Sequence, residues 1–146
     1  MPATRRIGVL LLSLALAACG DPGPAEQPAT PQARTQAALQ DIFALVRAQD
    51  TAALAPRIVY RGEDETRHWK DVCRYDAPDE KPRVDKMAAR VGKLLGDGTP
   101  VFSAWRSETE SEGTWLVWKV KGVAGSAWFA CLEIDGVIAL GDIDTD

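Results

Sequence analysis

Three cysteines, one histidine, two tyrosines and five tryptophans are the residues of this 146-residue chain on which chemistry could rest. Cys19 closes the run Leu16-Ala17-Ala18-Cys19, where small side chains lead up to a nucleophilic sulfur. Cys73 and Cys131 sit 58 positions apart. In an exported domain they predict either a disulfide, adding about 4 kcal/mol on the chain-entropy model, or two separate thiols packed as small apolar groups. His68, the single imidazole, lies in Arg67-His68-Trp69 and reads as a polar loop or helix-face residue. No Cys-x-x-Cys, His-x-x-x-His or Asp-rich calcium loop occurs, so neither a metal nor another cofactor is expected. Gly125-Ser126-Ala127 does not make a nucleophile elbow, and Gly92 to Gly98 lacks the lysine and hydroxyl of a phosphate loop. No catalytic residue is therefore assigned. Trp69, Trp105, Trp115, Trp118 and Trp128, with His68, are the candidate lining of a ligand pocket. The competing reading is core and cross-strand packing, because Trp115 and Trp118 fall on opposite faces of one strand.

The N-terminus carries an address. Arg5 and Arg6 precede an apolar run of 12 residues, Ile7 to Ala18. A bilayer span takes about 20, so a cleavable signal fits better than a membrane helix. Leu16-Ala17-Ala18-Cys19 resembles the lipobox of bacterial lipoproteins. That resemblance implies a diacylglyceryl group on the Cys19 sulfur, cleavage before it, and acylation of the new amino group. Two or three chains of this kind anchor a protein stably, where one does not. It also implies a membrane partner through that lipid and a place in the bacterial cell envelope. Gly20 directly after the cysteine, with Asp21 one position later, points to the outer membrane, facing the periplasm.

Residues 1–18 thus read as signal peptide, and 19–31, with Pro22, Pro24, Pro28 and Pro31, as a semi-extended tether. Residues 32–146 read as one domain. Without Arg5 and Arg6 the chain sets 15 Lys and Arg against 21 Asp and Glu, a balance of −6. With no basic cluster interleaved with aromatics, nucleic acid is not an expected partner.

Thr30-Pro31 predicts a helix start, and Leu39, Ile42, Phe43 and Val46 predict an amphipathic helix over roughly Gln32 to Gln49. Asp50 caps a short helix through Leu54 that Pro56 ends, and Ile58-Val59-Tyr60 is a brief strand. The charge run Arg61 to Asp71 reads as a solvated surface, with a recognition loop as the alternative. Trp69, Val72 and Cys73 at helical spacing predict one or two helical turns. Val84, Met87, Ala88, Val91, Leu94 and Leu95 mark a third long helix ending at Gly96. Four alternating strands follow, over Val101–Thr109, Thr114–Lys121, Ser126–Ile134 and Val137–Ile143. The last two are joined by the turn pair Asp135-Gly136.

Helices first and a meander afterwards predict an α+β fold with helices packed on one face of a curved antiparallel sheet. That element order resembles the NTF2-like or cystatin-like cone fold. The functional expectation is a lipid-anchored, non-enzymatic interaction or accessory domain of the envelope, with an envelope protein as partner. The alternatives are a small-molecule-binding domain with a Trp-lined pocket, and an enzyme on an NTF2-like fold built from carboxylates that sequence spacing cannot bring together.

Overall fold

Thr30 and Pro31 start the first helix as predicted. The Thr30 hydroxyl accepts from the Ala33 amide at 3.2 Å, and proline fills a position whose amide hydrogen is not needed. In the computed structural model, which describes residues 29–61, 70–111 and 113–145, this helix, α1, runs Pro31–Arg47. The signal, Cys19 and most of the tether lie outside the described residues, as do His68, Trp69 and residues 62–67 of the charge run. α1 buries Thr35, Ala38, Leu39, Ile42 and Phe43 along one stripe. Asp50 caps α2 (Thr51–Leu54) by accepting from the Ala53 amide at 3.0 Å. Pro56 does not end the winding but sits inside a 3-10 turn, Ala55–Arg57. α3 (Lys81–Leu95) buries Val84, Met87, Val91, Leu94 and Leu95 and closes on Gly96 at φ +49°. Among the described residues no helix is long and apolar enough to cross a membrane.

Strands β1 (Val101–Glu110), β2 (Gly113–Gly122), β3 (Gly125–Ile134) and β4 (Val137–Thr145) form an antiparallel meander in chain order. Asp135 and Gly136 both take positive φ, 49° and 80°, as a tight β3–β4 hairpin turn requires. The sheet is curved and open, with the helices on one side, so the fold is α+β. The helix-facing side presents Leu116, Trp118, Val120, Ala127, Phe129, Cys131, Ile138, Leu140 and Ile143 to the main core. Period-two alternation sends Trp115, Val117, Leu132 and Ala139 to the outer side, where Val59 joins them in a second, smaller cluster.

Two bulges interrupt that alternation. Phe102 pairs with Val120 and Ala104 with Lys119, leaving Ser103 extra. Phe102 and Trp105, three apart, therefore both pack on the helix side. In β4, Cys131 pairs with Leu140 and Ala130 with Asp142, so Gly141 is the extra residue. A Cβ there would lie 2.7 Å from the Trp115 ring, so glycine is what leaves room for the indole against β4.

The expected helical turns around Val72 and Cys73 are not formed. Val72 makes an antiparallel bridge to Val59, and the Cys73 amide donates to the Ile58 carbonyl at 2.8 Å. Ile58 in turn bridges Leu140 in parallel sense. The reason is a short added ladder: the Val59 amide donates to the Leu140 carbonyl on the edge of β4, and the 71–73 segment pairs with Ile58-Val59-Tyr60 in turn. This satisfies backbone groups that one isolated turn of helix would leave open. Val72 and Cys73 consequently face opposite sides, the first in the outer cluster and the second in the main core.

The same ladder separates the two thiols. Cys131, Leu140, Ile58 and Cys73 lie in successive strands, three spacings of about 4.8 Å or some 14 Å in all. A disulfide needs Cα atoms within about 7 Å. Cys73 and Cys131 are accordingly two buried thiols, not a bridge.

Candidate functional site

The four described tryptophans do not converge on one pocket. Trp105 and Trp118 belong to the helix side, their rings 5.5 Å apart, with Phe102 edge-on to Trp118 at 5.3 Å. The Trp118 indole N–H donates to the Gln32 carbonyl at 3.2 Å, tying β2 to the first turn of α1. These two rings are core. Trp115 and Trp128 lie on the other side of the sheet, and Trp69 and His68 fall outside the described residues. For the four described rings the packing reading holds over a shared pocket: alternation along β2 and β3 puts the pairs on opposite faces.

The outer face is where polar and aromatic groups meet. Its floor is Trp115, Val117, Trp128 and Ala130. Register lines up Arg106 with Val117, Val117 with Ala130, and Ala130 with Asp142 in one row. The next row holds Lys119, Trp128 and Asp144. Arg106 reaches across β2 to place its guanidinium 4.2 Å from the Trp128 ring centre, and the Lys119 ammonium lies 5.3 Å from it. Arg61 stands 5.3 Å over Trp115. Such cation–π contacts contribute about 0.5–2 kcal/mol each and hold the cations against the aromatic plane. Glu108, Glu110, Asp142 and Asp144 complete the rim of a shallow cleft of about 280 Å³. Glu108 also takes the Arg106 Nε at 2.8 Å. The result is a half-buried aromatic floor under a border of both charges.

A larger cleft, about 660 Å³, opens where the β1–β2 and β3–β4 turns meet the start of α1. Leu116, Leu132 and Ile134 give it apolar walls, and Lys70, Asp71, Glu133 and Asp135 a polar mouth. Glu133 pairs there with Arg34 at 2.5 Å.

Comparison with family models, with curated proteins and with solved structures finds no match for this chain. Its function has to be read from its own surfaces.

Neither buried thiol reaches these surfaces. Burial pushes the Cys131 thiol up to about 12, which keeps it protonated and unreactive at neutral pH. The Cys73 sulfur points at the Val59 carbonyl at 3.8 Å. No group of three or more His, Cys, Asp or Glu among the described residues could hold a metal ion. Arg61 stood out only as the first residue of the charge run, and Arg106, Lys119, Asp142 and Asp144 did not stand out as site residues in the sequence. Their signal lay in strand phase: Arg106-x-Glu108-x-Glu110 and Trp115-x-Val117-x-Lys119 each share a face. Which faces coincide depends on register, which pairing sets and composition does not.

Proposed function

We propose that this chain is a bacterial lipoprotein, acylated on Cys19 and held in the cell envelope by a proline-rich tether, whose domain works as a non-enzymatic interaction module. The observation that carries the interaction reading is the outer sheet face. Half-buried Trp128 under Arg106 and Lys119, beside Trp115 under Arg61, is a rigid aromatic platform with charged rims. Aromatic residues and arginine are the groups that dominate binding energy at protein interfaces. Rims of both signs favour a partner of mixed charge, which suits an envelope protein. The helix-then-meander order also supports kinship with NTF2-like domains.

The larger cleft beside Pro31 supports a second reading, in which a small molecule sits against Leu116, Leu132 and Ile134. A photo-crosslinking residue at position 128 in intact cells separates the two. The interaction reading expects a discrete envelope-protein adduct that disappears with Arg106→Glu, while a crosslinker at the exposed position of Val123 yields none. No adduct from position 128, or one indifferent to Arg106→Glu, overturns it.

A further inference from the structure

Helix α3 carries a cationic stripe that the outer-face reading does not use. Arg83, Lys86 and Arg90 follow one another at helical spacing and, with Arg61, Met87, Gly141 and Asp142, line a cleft of about 110 Å³ against β4. That is the volume of three or four water molecules at liquid density, room for a tetrahedral oxyanion. The charges do not cancel. Among the described residues four cations meet one carboxylate, in a chain whose own balance is −4.

The way the guanidiniums are held leaves their charge available. Arg83 donates to the Val59 carbonyl at 2.9 Å and to the Gly141 carbonyl at 3.3 Å, the latter freed from the ladder by the bulge. Arg90 donates to the Ile143 carbonyl on the same edge. Neutral acceptors fix geometry without neutralising charge. The one carboxylate among the described residues of the cleft, Asp142, is stretched between Arg90 at 3.7 Å and Arg61 at 4.0 Å, and also accepts from the Ile143 amide at 2.8 Å. Lys86 is exposed and has no ion-pair partner among the described residues. The other carboxylate on this helix surface, Asp85, is taken by Lys81 at 3.2 Å. Pre-placed guanidiniums with an exposed ammonium beside them suit a phosphoryl group, which takes two-pronged and point donors together.

Arg90 also borders a second cleft, about 360 Å³, lined by Leu94, Ala124, Ala127 and Ile143 with Lys93 at its side. The cationic and apolar clefts thus adjoin across one arginine. We infer that the α3–β4 groove binds a phosphoryl group borne by an apolar molecule, with the phosphoryl oxygens among Arg61, Arg83, Lys86 and Arg90 and the apolar part along Leu94 and Ile143.

Calorimetric titration of the full chain, carried in nanodiscs of neutral phosphatidylcholine, tests this with three probes. These are inorganic phosphate, dihexanoyl phosphatidate and dihexanoyl phosphatidylcholine. The groove expects phosphatidate to bind more tightly than phosphate, and the choline lipid not to compete. Lys86→Glu, on an exposed position, should weaken phosphatidate by at least about tenfold, while Lys121→Glu on the exposed part of β2 leaves it unchanged. Added salt should weaken it as well. Equal binding of phosphate and phosphatidate, both lost with Lys86→Glu, would overturn the apolar half and assign the site to a free oxyanion. Absence of phosphate-dependent heat with either probe, or binding indifferent to Lys86→Glu, overturns the whole proposal.

Discussion

Cys131 lies fully buried between β2 and β4, facing the helices, and its thiol titrates near 12 where an unburied one titrates near 9.0. The cause is desolvation: a thiolate there would have no water and no nearby cation. Between those values the unfolded chain has lost the proton and the folded chain has kept it. The native state therefore binds more protons, and stability falls as pH rises. This contribution is fully present below about pH 9 and fades by up to about 4 kcal/mol as pH approaches 12. Cys131→Ala removes it, at a small constant cost from the lost sulfur. Urea unfolding of both proteins from about pH 8 to about pH 11 should show the wild-type advantage shrinking by roughly 2–3 kcal/mol. A difference that stays constant over that range would place the thiol in contact with water.

At the scale of elements, two glycines of similar appearance in the sequence have opposite roles. Gly122 ends β2 where the hairpin meets the last turn of α3: a Cβ would stand 2.2 Å from the Leu94 carbonyl oxygen, the acceptor of the Ala124 amide at 3.1 Å. Gly92 lies inside α3, and a Cβ there meets only a Val46 methyl at 3.7 Å. Gly122→Ala must push the β2–β3 hairpin off the helix and should cost about 1–3 kcal/mol. Gly92→Ala should stabilise by up to about 1 kcal/mol, because alanine loses less backbone entropy in a helix. Denaturant midpoints moving in opposite directions, with unchanged slopes, check both. A Gly122→Ala protein as stable as wild type would place the hairpin away from α3.

What the sequence made legible at this scale follows from which forces are local. Thr30-Pro31, Asp50, Gly96 and Asp135-Gly136 mark ends and turns by their own backbone chemistry, and the four strands follow from alternation. The faces of β2 and β3 were readable for the same reason. The bulges at Ser103 and Gly141 were not, since an extra residue is defined only against a partner strand. Val72 and Cys73 have helical spacing relative to Trp69 yet lie extended, because Ile58-Val59-Tyr60, itself laid on the edge of β4, offers them hydrogen bonds that no local pattern announces. The outer-face rows fall in the same class. Arg106 and Trp128 are 22 positions apart, and only the β1–β2–β3 register brings them together.

For the whole molecule, the cysteines connect the address to the core. Cys73 and Cys131 sit about 14 Å apart across a sheet whose helix side is dry, and lipid on Cys19 would block the third sulfur. Native protein should therefore react with no equivalents of an aqueous thiol reagent, since both core thiols are buried. Unfolded in guanidinium without reductant, material isolated from bacterial envelopes should release two reactive thiols. Cys19→Ser material should also release two, and wild-type chain made without lipid transfer three. Mass spectrometry of the native protein should find its N-terminus at Cys19 with acyl chains attached. Three thiols in envelope material, or an N-terminus elsewhere, refutes the anchor while leaving the fold untouched. A count lower by two in every preparation would mean that Cys73 and Cys131 are bridged, and would require the segment around Cys73 to leave its place beside Ile58.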